Sequence, residues 1–593
     1  MAYIKPAIDR KQRVFFPDCV EDFVKEDNPV RFIDYFVDQL DMAKLGFQHS
    51  DSDELGHPCY DPRDLMKLYI YGYFNKIRSS RCLARECTRN VEMMWLLNRL
   101  EPDFRTISDF RKDNAEAIKN TFIELNMLLA KKSLFHNSYF SVDGSKFKAV
   151  NSKSNNFTAA KVDFQISRLH AYLHDLDKED KKEDMADENN DDGNDGGCGD
   201  DGSRPEGRPL SKEDIMAKKN PNSLEERLDF YEGVRDYMGR ENISQISLTD
   251  PESRLMKQNE GMGVCYNVQV ATSSEGHFIA DFEVTNRPTD HGLLAAMGMK
   301  LKEIYDLEST EVTADKGYIS MNDTRKALCN GIVPHVIQTD NSTSITVDFE
   351  YEESEVAEEM LASTKPEDIE KCLKAGKIPN IYAGILSNPK IKTRPITETV
   401  PDIDDSDTVS MSEEKKKEIA RQGYFVRDAE SNCAYCPMGS KLYQKAEKSN
   451  GQIRYYNKFA CSKCTHKCTK SKFKDADFPK DTLILKCKNW IPDDSGAGAT
   501  ADIDVPRKIP VKKRKVKKTF VVFTLHLDQE KMKNRKCLSE HPFGTIKRTL
   551  GFTYFLVKGK VKTAAEMALA CMGYNMRRAI NMLGTKELMA AMA

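Results

Sequence analysis

Ser138–Val150 reads SYFSVDGSKFKAV, and the reading of this stretch decides the fold. Its residues alternate and are rich in aromatic and β-branched types, which predicts a strand, a turn at Asp143-Gly144 and a second strand. Asp-Gly is a favoured hairpin pair, so the local residues favour a turn. The same aspartate also ends an apolar strand, where an α/β sheet carries its chemistry.

Downstream, GVCYNVQVATSSEGHFIADFEVT predicts a hairpin of Val264–Ala271 and His277–Thr285 around SSEG. DHGLLAAMGMKLKEIY predicts a helix over about 290–305, and Thr310–Ala314 a short strand ending at Asp315. A helix near Met321–Cys329 leads to an apolar strand, Ile332–Ile337. The order strand, hairpin, helix, strand, helix, strand is an α/β pattern with a mixed sheet.

Upstream, residues 1–135 read as a helical domain. Pro62–Arg78 and Ser79–Leu97 each carry apolar residues at helical spacing, and Thr106 or Ser108 is suited to cap a basic helix after them. Short helices with arginines at their starts fit a helix-turn-helix-like DNA reader; a plain bundle with a solvated basic face fits the residues equally. The core is expected to occupy 136–340, with a helical and acidic insertion at 158–257. Residues 341–520 interrupt the pattern, and 521–593 return to helices at Ser539–Arg548 and Ala564–Leu583.

The 593 residues exceed what one core holds, so several units are expected. Net charge is only −3, but it is segregated. Residues 175–201 hold 13 acids against 3 lysines, and residues 505–518 hold eight bases and no acid. The acidic run, extended to 175–210, is too polar to bury a core and is expected to be disordered. It is not an EF-hand, because the glycine and glutamate positions hold Asp192 and Cys198. MAYIKPAIDRKQRVFF lacks the apolar core of a signal peptide, and no apolar run approaches a membrane span. The expectation is a soluble protein with reduced thiols, without a membrane partner.

Phosphoryl transfer with two divalent ions needs carboxylates converging from separate segments around ions about 3.5–4 Å apart. Asp143 and Asp315 both end apolar strands, and Glu540 opens a helical stretch. Each has an ordinary alternative: a turn for Asp143, a cap for Asp315, a first-turn acid for Glu540.

Taken in order, VDGSKFKAVNSK around Asp143, TDPESRLMK and GVCYNVQVA over Asp250–Ala271, TADKGY around Asp315 and SEHPFGTIKRTLGFTYF around Glu540 resemble the successive motifs of bacterial insertion-sequence DDE transposases. The resemblance implies an RNase H-like core and a metal site of Asp143, Asp315 and Glu540. Asp143 would bridge two Mg²⁺ ions (Mn²⁺ being possible), and the other two acids would hold one each. It implies transposon-end inverted repeats and target DNA as partners, a homodimer on DNA, and Lys547, Arg548 and Lys146 as DNA contacts. Lys547 follows Glu540 by seven residues, which on an α-helix is the same face. Some relatives carry Tyr and Arg before the Glu; here Lys533 and Lys536 stand there, which puts hairpin-forming cleavage in doubt. The rival readings are an RNase H-fold nuclease that only hydrolyses and a catalytically idle, transposase-derived DNA binder. A bacterial home implies the cytoplasm and nucleoid, a eukaryotic one the nucleus.

Cys433-Ala-Tyr-Cys436 and Cys461-Ser-Lys-Cys464 form CxxC…CxxC, with Cys468 and His466 as competing ligands. Tetrahedral Zn²⁺ takes four soft ligands, so a structural zinc site on four of the five cysteines is expected. Reduced thiols within a β-hairpin insertion are the alternative. Interleaved lysines around the cluster suit DNA phosphates. PVKKRKVKK resembles a nuclear-localisation signal, but phosphate contacts or a solvated linker is the better reading in a bacterial-looking chain.

Overall fold

A computed structural model describes residues 19–50, 59–132, 134, 139–187, 211–217, 223–241, 243–258, 261–336, 343–401, 413–421, 423–428, 431–447, 452–457, 460, 464, 476–479, 483–487 and 511–592. The chain divides into two compact units. The first comprises residues 1–150, 265–392 and 520–593; the second comprises 151–264 and 393–519.

The first unit is built on β1 (Phe140–Lys148), β2 (Gly261–Ser273), β3 (Ile279–Thr285), β4 (Thr310–Ala314) and β5 (Ile332–Val336). Their order across the sheet is β3-β2-β1-β4-β5. β1 pairs antiparallel with β2, and β2 antiparallel with β3. β1 runs parallel to β4, and β4 to β5. The crossovers are α7 (Leu294–Tyr305) and α8 (Met321–Cys329). The fold is thus mixed α/β, as the element order predicts. One expectation fails: β1 is a single unbroken strand, with no turn at Asp143-Gly144. Asp143 pairs with Val270 and Gly144 with Gln269, and this ladder outweighs the local turn preference.

The N-terminal helices are α1 (Pro29–Asp38), α2 (Pro62–Phe74), α3 (Ser80–Cys87), α4 (Val91–Leu96), α5 (Phe104–Asp113) and α6 (Ala115–Lys131). Ser79–Leu97, expected as one helix, is two, broken before Asn90, whose side chain caps α4. Asp103 caps α5 in place of Thr106 or Ser108, accepting from Arg105 N at 2.7 Å. These helices are not a separate body. They pack with the C-terminal helix α11 (Lys560–Leu583), against which α2 and α6 both lie. Glu566 of α11 is fully buried, with Arg78 Nη2 at 2.8 Å and the Tyr73 hydroxyl donating at 3.1 Å. Edge strand β3 is also tied in: Asn126 Nδ2 donates to Ile279 O and Ala280 O, both at 2.9 Å. Asn575 accepts from Ile279 N at 2.9 Å and donates to Asn126 Oδ1 at 2.7 Å. Side-chain amides thereby satisfy backbone groups that an edge strand leaves open.

Beyond β5 the unit continues through β6 (Ser344–Glu350) and α9 (Pro366–Lys374), and returns from Phe520 within β7 (Val511–His526) and through α10 (Gln529–Gly544). β6 and β7 pair antiparallel from Phe520↔Glu350 to His526↔Ser344. Val347, Ile369, Leu373, Val521 and Phe523 form a fully buried cluster, so residues 343–392 belong to the first unit and not to an insertion starting at 341.

In the second unit the helix Ala159–Asp187 packs on Leu224–Arg240. It runs well into the acidic stretch expected to be disordered; 188–210 lie outside the described residues. The unit also holds a six-stranded sheet in the order Ala476–Pro479, Gln452–Tyr456, Lys441–Glu447, Cys433–Tyr435, Tyr424–Asp428, Ile484–Lys486, with antiparallel neighbours throughout. Arg235 joins helix to sheet: its Nε donates to Asp163 at 2.8 Å and its guanidinium lies 4.6 Å from the Tyr443 ring centre.

Candidate active site

The register of β1 and β4 builds the site. Val142 stands opposite Ala314 on parallel neighbours, so the next residues, Asp143 within β1 and Asp315 just past the carboxyl end of β4, stand at the same level of adjacent strands. Each carboxylate accepts a backbone N–H just ahead of it: Asp143 from Gly144 and Asp315 from Gly317, both at 2.8 Å. Asp315 thereby caps the short turn Lys316–Tyr318 while facing its partner acid.

Burial pushes the Asp143 carboxyl up to about 6, and the charges of Asp315 and Asp290 add to the rise. The Gly144 N–H and the Arg535 guanidinium act the other way. Arg535 lies on α10, which packs on β1 and β4, and its backbone carbonyl accepts from the Ser141 hydroxyl at 3.4 Å. Arg535 Nε is buried without a hydrogen-bond partner among the described residues.

Asp290, Asn267, Gln269, Tyr318 and Arg535 are site residues that sequence reasoning missed. Asp290 Oδ1 accepts from Asn267 Nδ2 at 2.7 Å and from Gln269 Nε2 at 2.6 Å. The Tyr318 hydroxyl donates to Gln269 Oε1. Burial, with three aspartates nearby, keeps that phenol protonated, well above its ordinary range. Asp290 lies in the loop ahead of α7, which starts at Leu294 and not near 290 as expected. A cleft of about 740 Å³ opens there, lined by Arg287, Pro288, Thr289, Asp290, His291 and Gly317.

Glu540 is not joined to the two aspartates by any hydrogen bond or ion pair among the described residues. Its side chain is 66% exposed, with Lys536 Nζ 3.9 Å away. Among the described residues no three His, Cys, Asp or Glu side chains are arranged to cage one ion. The helix carrying Glu540 also differs from expectation. It starts at Gln529, capped by Asp528, so Ser539 is interior and Pro542 lies near the end. A π-helical turn, Thr545–Thr549, follows. Its wider winding breaks the α-spacing that would align Glu540 with Lys547. Lys547 turns inward, donating to Ser145 Oγ at 2.6 Å and Lys146 O at 3.0 Å, with its ammonium 4.5 Å from the Phe147 ring centre. Arg548 is exposed.

The donor chemistry fits a hard cation at the aspartates. Two carboxylates stand side by side, and the burial and neighbouring acids that raise Asp143 are what a bound cation would offset. The zinc expectation fits less well. Cys433 packs with Ile419, Val426 and Tyr435, whereas Cys436 packs with Phe425, Ala434 and Leu442. Strand alternation sends these thiols to opposite faces of the sheet, so they do not form one CxxC bite. Cys464 is near enough for its charge to add to the burial that pushes the Cys436 thiol up, and Cys487 shares the Cys436 cluster. Cys461, His466 and Cys468 lie outside the described residues. The cysteines that are described are all free of disulfides, and no described helix is long and apolar enough to cross a membrane.

No curated protein and no solved structure matches the chain. Residues 18–113, the segment that ends with α5 and contains none of Asp143, Asp315 and Glu540, match a family model described as a transposase domain (DUF772), and that match supports a transposase role for this chain.

Proposed function

We propose that the protein is a DDE-type transposase that cuts DNA at the ends of its element and joins them to target DNA. The carrying observation is the Val142↔Ala314 register, which sets Asp143 and Asp315 side by side. The order β3-β2-β1-β4-β5, with the last three strands parallel, supports an RNase H-like core around them.

Asp143 and Asp315 would hold the Mg²⁺ ions, which supply Lewis-acid activation of water and stabilise the leaving oxygen. The chain's own contribution is position and charge. Arg535 brings a positive charge close enough to lower the Asp143 carboxyl, and that charge would favour a phosphate beside it. The protonated Tyr318 locks Gln269 and leaves the site without a further anion. Glu540 is the third acid of the proposal; its carboxylate stands at the exposed face of α10, free to be drawn in when cations and DNA bind. Arg548 is the exposed phosphate contact. Lys547 braces β1, and the DNA role that the motif implies for it passes through that brace.

The test uses the full chain, Mg²⁺ and DNA carrying the inverted repeats that flank its own gene. Cleavage followed by joining of precut ends to a second duplex supports the reading. Cleavage without joining favours a hydrolytic nuclease with the same pair of acids, and binding without either favours an idle derivative.

A further inference from the structure

Asp143 and Asp290 approach β1 from opposite faces. Ser141, Asp143 and Ser145 alternate to the side of α10, where Ser141 and Ser145 are bonded to Arg535 and Lys547. Gly144 and Lys146 face the other way, with Gln269 and Asn267 as their cross-strand neighbours. Asp290 lies over that second face. A Cβ on Gly144 would sit 2.4 Å from Asp290 Oδ1 and 2.4 Å from Gln269 Nε2, so only glycine admits the carboxylate there. A Cβ on Gly317 would lie 3.0 Å from Asp315 Oδ1 and 3.8 Å from Asp290 Oδ2. The Asp290 carboxylate therefore lies against the glycines that accompany both acids.

Its two oxygens have different tasks. Oδ1 takes both amide N–H groups, and Tyr318 fixes the Gln269 amide so that its NH₂ must point to Asp290. Asn267, Gln269 and Tyr318 are each no more than 1% exposed, so this cradle is rigid. Oδ2 is left for Lys146 Nζ, 3.6 Å away. With Oδ1 taken by two amides and Oδ2 turned to an ammonium, Asp290 differs from Asp143 and Asp315, whose described hydrogen bonds are one backbone N–H each.

We infer that Asp290 is a positioning residue for the proposed reaction: the buried amides hold it, and it fixes the Lys146 ammonium on the face of β1 opposite α10, so that a DNA phosphate beside Asp143 and Asp315 is met by Arg535 from one side and Lys146 from the other. This rests on the reading of Asp143 and Asp315 as a phosphoryl-transfer centre. The cleft beside Asp290 gives the phosphate its approach from the Lys146 side.

Asp290→Asn keeps an oxygen for the two amides and removes the counter-ion of Lys146. Lys146→Met removes the ammonium from a partly exposed position. Single-turnover cleavage at saturating DNA is measured for both variants, for the double variant and for Asp143→Asn, with thermal melting as a check on folding. Each of the first two is expected to slow cleavage by about 100-fold, the scale of a misplaced group, with melting unchanged. The double variant is expected to be no slower than Lys146→Met, because Asp290 acts through Lys146. Effects that multiply, or an Asp290→Asn variant at full rate while Asp143→Asn is dead, overturn the inference alone. Full activity of Asp143→Asn overturns the centre itself, and the inference with it.

Discussion

At the scale of single residues, the first unit keeps two aspartates largely away from water on opposite sides of the same sheet region. Asp143 is raised toward neutrality beside other acids, and a cation relieves it. Asp281, on β3, is pushed up to about 6 by burial with no neighbouring acid to explain it, while the charges of Lys300 and Lys119 only partly offset the rise. Its Oδ2 has no hydrogen-bond partner among the described residues. A folded-state value above the unfolded one means that Asp281 is tolerated when protonated. Its contribution is complete below about pH 4 and is lost as pH rises through about 6. Asp281→Asn should therefore match the unchanged chain near pH 4 and exceed its stability by about 3 kcal/mol above pH 7, the cost of ionising a carboxyl held near pH 6 instead of in its ordinary range. Denaturant unfolding across that range checks it; a pH-independent difference would contradict it.

At the scale of elements, alternation and winding decide which side chains meet. In the second unit Cys433 and Cys436 pack in different buried clusters, so a zinc site there is proposed on Cys436 and Cys464, with Cys461, Cys468 or His466, which lie outside the described residues, as the remaining candidates. Cys436→Ser should abolish about one equivalent of bound zinc, and Cys433→Ser should leave it in place. Equal loss in both, by elemental analysis, would restore the paired motif. The same rules show what the sequence made legible. The strand, hairpin and crossover pattern from residue 139 to 336 is strong because periodicity is local, and it places Asp315 at a strand end; Asp143, expected to end a strand, lies inside β1. The Asp-Gly pair is illegible as a strand interior, because only its partner Gln269, far along the chain, holds it extended. Asp290 carries no signal, since its meaning comes from Asn267 and Gln269 across a fold not yet formed. The expected same-face alignment of Glu540 and Lys547 assumed one continuous α-helix, where the chain winds a π turn at Thr545–Thr549.

At the scale of the molecule, the first unit is assembled from three stretches of chain, and the segment matching a transposase domain is anchored on the C-terminal helix. The Glu566 carboxylate is fully buried and held by Arg78 and Tyr73, nearly the length of the chain away. Removing one partner of a buried ion pair leaves an uncompensated charge, which costs about 3–5 kcal/mol. Arg78→Met should lower stability by that order and loosen α2 and α11 together, read as matched loss of amide-exchange protection. Loosening of α2 alone would show that the N-terminal helices stand as a body of their own.

The central claim is that Asp143 and Asp315 form one cation-dependent centre for DNA strand transfer. Its most direct measurement is cleavage of element-end DNA in Mg²⁺ by the full chain and by Asp143→Asn and Asp315→Asn, with DNA binding followed in parallel. The account predicts that both variants bind the ends with unchanged affinity and cut neither strand. Cleavage at the normal rate by either variant would contradict it.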